Sequence, residues 1–367
     1  MLDAFYIGLT LALASALFVL GLLFYCLCSH MESPVFRTAL RIMTLTYCFF
    51  GFVNMVELGS RMFLPDSDDV LLYQVVTLVV AVSQAFLFTY TLILLLNAPR
   101  ATRKRVVFGF VPMFTLAVVL VVVWLTLPDV WVKRFIYPFI FLYSCLLVYY
   151  TWLFVAAYRN GLRKLDNFFS SQEAEHLRWV NFSFYVALGI GVMALTWSLF
   201  PSIYMGIVCP IICILFYPYF AIRIIKYGYV YKQLEEVLTD DDIQSCPPQK
   251  DTNLLQPPIA KSLESNLKSW LDTKQFLQSG VTLNDVARQI GTNKKYLSIY
   301  INQHLNKPFR TWINDLRIEE AKRLMIECPE MNVTEIASRV GFATKSHFGQ
   351  QFRATTHLSP SNWRQIQ

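Results

Sequence analysis

The sequence predicts an all-α protein in which a seven-transmembrane-helix bundle is followed by a C-terminal double helix-turn-helix domain. Three observations predict this fold. The 367 residues are 55% hydrophobic and only 16% charged, whereas soluble domains contain about 45–50% apolar and about 25% charged residues. Seven long apolar runs occupy the first part of the chain, and two copies of one helix-turn-helix pattern occupy the last part. This composition excludes an ordinary soluble enzyme, a disordered chain and a disulfide scaffold.

The seven apolar runs predict a membrane region over residues 1–232. Each run reaches the roughly 20 residues that a helix needs to cross about 30 Å of hydrocarbon. Runs such as 75–82 and 116–124 lack the polar stripe that a long buried helix of a soluble protein carries. The runs cover, approximately, residues 4–28, 38–64, 70–96, 106–127, 135–158, 178–200 and 203–226.

Basic residues in the short loops predict the orientation of this region. The loops on one side carry 13 Lys and Arg and those on the other side carry 3. Positive charge accumulates on the cytoplasmic side, so the N-terminus is expected outside a bacterial inner membrane and the C-terminal domain in the cytoplasm. The first run lacks the basic start and the cleavage site of a signal peptide, and it is predicted to be a retained helix.

Polar and proline residues within the spans indicate where a signal could be sensed. Glu57 and Arg61 lie four residues apart in the second run and can share one helical face. They form either a structural ion pair at the membrane edge or a site for a ligand or proton, and the sequence leaves both interpretations open. Prolines within the fourth, fifth and seventh runs predict kinked helices around a cavity. These are Pro112, Pro138, Pro210 and Pro218.

Neither a cofactor nor a metal site is predicted. Cys26, Cys28 and His30 are each separated by two positions, and on a helix such residues point about 200° apart. They therefore cannot share a metal ion without unwinding the helix.

Residues 233–258 are predicted to be a linker, because Asp240–Asp242 and two Pro-Pro pairs interrupt the helical pattern. The domain that follows, residues 259–367, carries 15 Lys and Arg against 9 Asp and Glu, a net charge of +6. Nearly all of the +7 of the chain therefore lies in this domain, which indicates an anionic partner.

Two copies of one pattern, 50 residues apart, predict paired helix-turn-helix motifs in the basic domain. In each copy a small Ala lets two helices cross closely, and a Gly four residues later takes the left-handed turn. Large apolar residues beyond the Gly seat the second helix on the first. The residues are Ala287, Gly291, Leu297 and Ile301 in the first copy, and Ala337, Gly341, Phe348 and Phe352 in the second. The Gly precedes the first large residue by six positions in one copy and by seven in the other, which predicts a longer second turn.

The apolar positions between Pro308 and Leu324 recur at the helical period and predict a helix joining the two motifs. This part of the chain resembles the AraC/XylS-type DNA-binding domain. The resemblance covers about 105 residues. It is carried by Leu297-Ser298, Phe309-x-x-Trp312-Ile313-Asn314-x-x-Arg317-Ile318-x-x-Ala321, Gly341-Phe342-x-x-x-Ser346-x-Phe348-x-x-x-Phe352-Arg353 and Ser359-Pro360-x-x-Trp363-Arg364. Asn306 and His357 stand where that family usually has Gly, but both types tolerate left-handed backbone, so both turns are expected to survive.

The resemblance implies a transcription regulator whose recognition helices begin near Thr292 and Thr344 and bind double-stranded DNA. The outward polar positions predicted to face DNA are Asn293, Lys294, Lys295, Ser298, Thr344, Lys345, His347, Gln350 and Gln351. Gln can pair with adenine and Lys with guanine. Arg353, Arg364, Lys307 and Arg310 are expected to hold phosphates.

Together these features predict a membrane-embedded one-component transcription regulator, which would contact the lipid bilayer, DNA and an unknown signal or ligand. The sequence leaves open whether it also pairs with a second copy of itself as a homodimer. It is not predicted to be an enzyme. One alternative is a membrane transporter whose tail is an accessory DNA-binding regulator, although the spans show neither an internal repeat nor a His or carboxylate cluster. Another is a membrane anchor for the nucleoid without regulatory output.

Overall fold

The computed structural model describes residues 2–63, 70–96, 103–171, 173–200, 202–239 and 257–366. Within these ranges the chain is helical and contains no β-strand, which confirms the all-α prediction. The chain divides into two compact units. The first unit comprises residues 1–161 and 178–239, and the second comprises residues 162–177 and 240–367.

Seven long helices form the first unit, and each is long and apolar enough to cross a membrane. They are α1 (Leu2–Cys28), α2 (Pro34–Phe63), α3 (Val70–Leu96), α4 (Arg103–Thr126), α5 (Asp129–Phe168), α6 (Arg178–Leu199) and α7 (Ile203–Thr239). The last residues of α5 belong to the second unit. Many large apolar side chains on these helices are exposed, among them Leu45, Phe141 and Trp152.

Helix α3 lies at the centre of the first unit. It packs against α2, α4 and α6, and it is more buried than the other six long helices. One of its polar residues bonds to a neighbouring helix: Gln74 Nε2 donates to the Ser198 carbonyl oxygen of α6 at 2.9 Å. Elsewhere in the unit, the Tyr47 hydroxyl of α2 donates to the Tyr217 carbonyl oxygen of α7 at 3.2 Å. Ser198 lies in the last turn of α6, where backbone carbonyls have no partner within the helix, so the bond from Gln74 satisfies a backbone group that lipid could not.

Helices α5 and α7 are longer than the apolar runs that predict them. Helix α7 continues to Thr239, so the first residues of the predicted linker, 233–239, are helical, and α8 begins at Pro257. The rest of that linker, 240–256, lies outside the described residues. Ser33, just before α2, donates to Glu235 Oε1 of the α7 extension at 2.6 Å, and Lys232 and Glu32 form an ion pair there.

The second unit contains seven helices beyond residue 256. They are α8 (Pro257–Asp272), α9 (Leu283–Gln289), α10 (Lys294–His304), α11 (Phe309–Glu327), α12 (Val333–Arg339), α13 (Lys345–Thr356) and α14 (Pro360–Ile366). Residues 162–177 add the end of α5 and a 3₁₀ helix over Glu173–Leu177. The predicted joining helix is α11, and it lies between the two helix pairs α9–α10 and α12–α13.

Each helix pair has its own apolar core against α11. Trp270 of α8 and Trp312 of α11 pack with ring centroids 6.0 Å apart beside the first pair. The core of the second pair is contributed by α11, α12 and α13 and is closed by Trp363 of α14. It is formed by Ile318, Ala321, Leu324, Met325, Ile336, Ala337, Val340, Phe342, Phe348 and Phe352. The large apolar residues of both sequence patterns are buried, as the predicted motifs require.

Candidate DNA-binding site

The first helix pair has the geometry of a helix-turn-helix. Thr282 caps α9 in a capping box with Asp285, which satisfies backbone N–H groups at the helix start. Gly291 takes a φ of +73° in the turn. Asn293 then caps α10, its side chain accepting from the Tyr296 N–H at 2.8 Å. Buried Ala287 and Leu297 lie where the two helices meet.

The second helix pair repeats these features with a longer turn. Asn332 and Glu335 form the capping box of α12, and the Thr344 side chain caps α13 by accepting from the His347 N–H. Gly341 has a φ of +86°. The turn spans residues 340–344 here and residues 290–293 in the first pair, so the predicted extra residue is confirmed.

Two non-glycine residues adopt the left-handed backbone that the sequence analysis anticipates. Asn306 has a φ of +51° between α10 and α11, and His357 has a φ of +62° at the end of α13. Both turns therefore form without the glycine that the AraC-type pattern usually has. Lys274 is a third such residue, with a φ of +54°.

The structure brings most of the predicted DNA-facing residues to the exposed sides of α10 and α13. Lys295, Lys345, Gln350 and Arg353 are exposed, while Lys294 and Gln351 are partly exposed. Asn293 and Thr344 are exposed as well, but each already serves as a helix cap. Arg364 of α14 is half-buried, and its Nε and one terminal nitrogen lack partners among the described residues.

Ser298 and His347 do not point outward, which corrects the sequence-based expectation. Each retains only 7% of its exposure. Ser298 Oγ accepts from Asn302 Nδ2 at 3.2 Å, and the His347 ring packs edge-on against Phe342 at 5.2 Å. Burial lowers the pKa of His347 to about 4, with Arg310 adding to the effect, so the ring is neutral at physiological pH. Both side chains lie one position from a large core residue, Leu297 or Phe348, and turn inward with it.

Arg317 is a structural residue whose role the sequence analysis did not identify. It is 2% exposed in α11, and it donates from Nε to the Phe276 carbonyl oxygen at 2.8 Å and from a terminal nitrogen to the Gln278 carbonyl oxygen at 2.6 Å. Burial lowers its pKa to about 10. Arg317 lies four residues from both Ile313 and Ala321, on the apolar face of α11. This spacing could have indicated from the sequence that its side chain is buried.

Arg310, which the sequence predicts to hold a phosphate, is paired with a carboxylate of residues 162–177. Its guanidinium lies 2.9 Å from Asp166 Oδ1 and is 16% exposed. Next to this pair, the Ser170 hydroxyl donates to the Val281 carbonyl oxygen at 2.6 Å, and Phe169 forms an antiparallel bridge with Thr282. The segment thus binds to the start of the first helix-turn-helix.

The candidate sensing residue of the first unit has a hydrogen-bond partner on α1. Glu57 Oε1 accepts from the Tyr6 hydroxyl of α1 at 2.5 Å. The side chain of Arg61 lies outside the described residues, so its predicted pairing with Glu57 stays a prediction. Over the described part of the chain, no group of three or more His, Cys, Asp or Glu could hold a metal ion.

Comparisons with known proteins agree with this geometry. A family model described as a helix-turn-helix domain matches residues 286–366. The regulator YdeC of Bacillus subtilis is 29% identical over 23% of this chain and 29% of its own length. A regulator in the cgkA 5′ region of Pseudoalteromonas carrageenovora is 25% identical over 33% and 70%. The regulatory protein PocR of Salmonella typhimurium is 28% identical over 36% and 43%.

Among solved structures, the C-terminal domain of AraT, a response regulator of Geobacillus stearothermophilus, is 30% identical over 31% of this chain and 89% of its own, with a TM-score of 0.26. The chain spans 29% of YdeC and 43% of PocR. The matched residues form an AraC-type helix-turn-helix domain, a DNA-binding module. Domain and relatives are those of transcription regulators and not of an enzyme.

Proposed function

We propose that this chain is a membrane-embedded one-component transcription regulator. Its seven-helix unit senses a signal, and its paired helix-turn-helix motifs bind a specific operator in the cytoplasm. The observation that carries the proposal is the presence, on one chain, of an AraC-type domain and of seven helices that are apolar on their exposed surfaces. An apolar surface of this extent needs lipid to cover it.

The loop charges support an orientation that delivers the DNA-binding domain to the chromosome. The bias of 13 basic residues to 3 favours an N-terminus outside and a C-terminus in the cytoplasm. Membrane attachment also favours action in pairs, because two copies held in one plane raise the local concentration of DNA-binding domains at paired half-sites.

Base contacts are assigned to the exposed polar residues of α10 and α13. Lys345 and Gln351 would read bases in the major groove, as would Lys294 and Lys295, while Arg353 would bind phosphate. Ser298 and His347 are left out of this surface because they are buried.

Residues 162–177 are proposed to couple the signal to DNA binding. Asp166 forms an ion pair with the guanidinium of Arg310, which a DNA phosphate would otherwise contact. The segment joins α5 to α6 along the chain, so a shift of those helices can release it. Its release would free Arg310 and raise the affinity for DNA.

Footprinting on genomic DNA with the full chain in lipid nanodiscs tests the proposal. We expect a protected operator and a transcriptional change of the adjacent gene on deletion. Lys345→Ala and Gln351→Ala should each weaken operator binding by about five- to a hundred-fold, since a good base pairing contributes about 1–3 kcal/mol. Lys268→Ala removes the same charge from an exposed site on α8 and is the matched control. Specific binding without any transcriptional change would instead favour a nucleoid anchor.

A further inference from the structure

A partly open cavity lies between α1, α2, α3, α6 and α7 of the first unit. Its volume is about 120 Å³. A single water needs only about 10–15 Å³ on this measure, and an apolar cavity of about 150 Å³ holds benzene. The cavity therefore has room for a molecule the size of a six-membered ring.

The wall of the cavity is largely aromatic and aliphatic. Phe50 of α2, Trp197 of α6 and Tyr217 of α7 contribute aromatic rings, and Leu13 and Ile190 contribute aliphatic side chains. Such walls bind apolar rings by burial and by ring packing. The occupant therefore has an apolar body.

Gln84 of α3 is the polar group that specifies the occupant. It is 6% exposed and lines the cavity, and its Nε2 has no partner among the described residues. A buried amide left unbonded costs about 1–3 kcal/mol, which a hydrogen-bonding ligand would recover. A hydroxyl group both donates and accepts, so it satisfies this amide in either orientation of its terminal oxygen and nitrogen.

Glu57 sets the charge that the cavity accepts. Its carboxyl group lines the same space and accepts from Tyr6. A carboxylate disfavours a second anion at close range, and an ammonium group has no acceptor to offer to Gln84. The polar head of the ligand therefore carries no negative charge and supplies the acceptor that Gln84 Nε2 lacks.

We propose that this cavity binds a small neutral molecule, an apolar ring bearing a hydroxyl group, with Gln84 as its hydrogen-bond partner. This deepens the sensing role of the seven-helix unit, and its consequence for transcription rests on the proposed function. The binding itself does not.

The test uses the full chain in lipid nanodiscs with phenol as the probe and benzoate and benzylamine as probes of similar size and opposite charge. The readout is the part of the tryptophan fluorescence change that Trp197→Phe abolishes. We expect phenol to give a saturable change and the two charged probes to give much weaker ones. Gln84→Leu should weaken phenol binding about five- to ten-fold, the equivalent of one lost hydrogen bond.

Gln74→Leu is the matched control. It removes the same group from α3, but Gln74 bonds to Ser198 and does not line the cavity. A phenol response that does not saturate, or that Gln84→Leu leaves unchanged, overturns the proposal. Ala81→Phe fills the cavity from the same helix and should abolish the response, whereas an unaltered response would place the probe elsewhere. Saturable, Gln84-dependent binding with no effect on operator-linked transcription would uphold the cavity site and count against the sensing function.

Discussion

At the scale of single residues, burial separates structural polar groups from those available to DNA. Arg317 donates to two backbone oxygens that close the turn between α8 and α9, and His347 is turned into the core beside Phe342. Both belong to motifs that the sequence assigns to DNA binding. Lys345 and Gln350, on the same recognition helix as His347, are exposed and remain available to DNA.

The buried state of His347 predicts a specific sensitivity to acid. Histidine titrates near pH 6.5 in an unfolded chain, and near 4 at this site. Between these values the unfolded chain binds more protons, so the stabilisation is complete above about pH 6.5 and is lost as the pH falls towards 4. The second unit should lose about 2 kcal/mol of unfolding free energy from this residue between pH 7 and pH 5.

His347→Phe should remove that loss, because a neutral ring of similar size packs against Phe342 at any pH. Pulse proteolysis of the full chain in urea, at pH 7 and at pH 5, measures it. His304→Phe alters an exposed histidine on α10 and should keep the acid sensitivity. Equal acid loss in both variants would contradict the assignment. Operator affinity at pH 7.5 should be the same in His347→Phe as in the unaltered chain.

At the residue scale, the sequence predicts the features that depend only on residue type and on spacing along the chain. The left-handed turns at Asn306 and His357 and the packing of Ala287 and Ala337 are all confirmed. The direction of a single polar side chain was less predictable. On a short amphipathic helix, Ser298 and His347 lie at the boundary between two faces, and a rotation of about 50° decides between core and solvent.

At the scale of elements, the two helix-turn-helix motifs share a pattern but differ in how tightly the turn is held. A side chain added at Gly341 would place its Cβ 2.3 Å from the Leu277 carbonyl oxygen. At Gly291 the same atom would have nothing within 4 Å. Only the second turn packs closely against the segment that Arg317 also binds.

This difference predicts that replacing the turn glycine by alanine lowers the unfolding free energy more in the second motif than in the first. Gly291→Ala meets only the left-handed backbone and should lower the unfolding free energy by about 1–2 kcal/mol. Gly341→Ala meets the same strain and a backbone clash as well, and should lower it by about 3–5 kcal/mol. Denaturant-dependent proteolysis of the two variants measures the difference. Equal costs would show that the Leu277 carbonyl moves aside without penalty.

Hydropathy does not predict the structure or the contacts of residues 162–177. The helix α5 continues ten residues beyond its predicted end at residue 158, through Arg159 and Lys164 to Phe168. A hydropathy run ends where charge begins, whereas a helix continues as long as its backbone bonds are favourable. The contact of this segment with Val281 and Thr282 is a tertiary contact between residues over 100 positions apart, which no local pattern encodes.

Breaking this contact should change DNA binding. Asp166→Asn removes the charge that pairs with Arg310 and should raise operator affinity about two- to five-fold, as expected for a partly exposed ion pair. The gain should shrink at high salt. Glu327→Gln removes a carboxylate paired with Arg323 at the far end of α11, and is expected to leave affinity unchanged. Electrophoretic mobility shifts with the operator from footprinting measure both, and a fall in affinity for Asp166→Asn would refute the coupling role.

At the scale of the whole molecule, the composition predicts one region in contact with lipid and a second region in contact with water. The two compact units follow this division in part. Apolar residues dominate the exposed surface of the first unit, while the excess positive charge lies in residues 259–367. The exception is residues 162–177, which lie between two parts of the first unit in sequence but belong to the second unit. Under the proposed function the long helices span the membrane, and a loop between them that packs with the DNA-binding domain then lies in the cytoplasm.

This requirement makes the topology testable at adjacent loops. Alkaline phosphatase folds only outside the cytoplasm, so it should be active when fused after Pro128, between α4 and α5, and inactive when fused after Ser171, between α5 and α6. A fluorescent protein that matures only in the cytoplasm should give the reverse pattern, and should also be bright after Gln367. The two fusion sites differ by one helix, so each serves as the control for the other. Phosphatase activity after Ser171 would place the segment and the DNA-binding domain on the side without DNA, and the proposed function would fail with it.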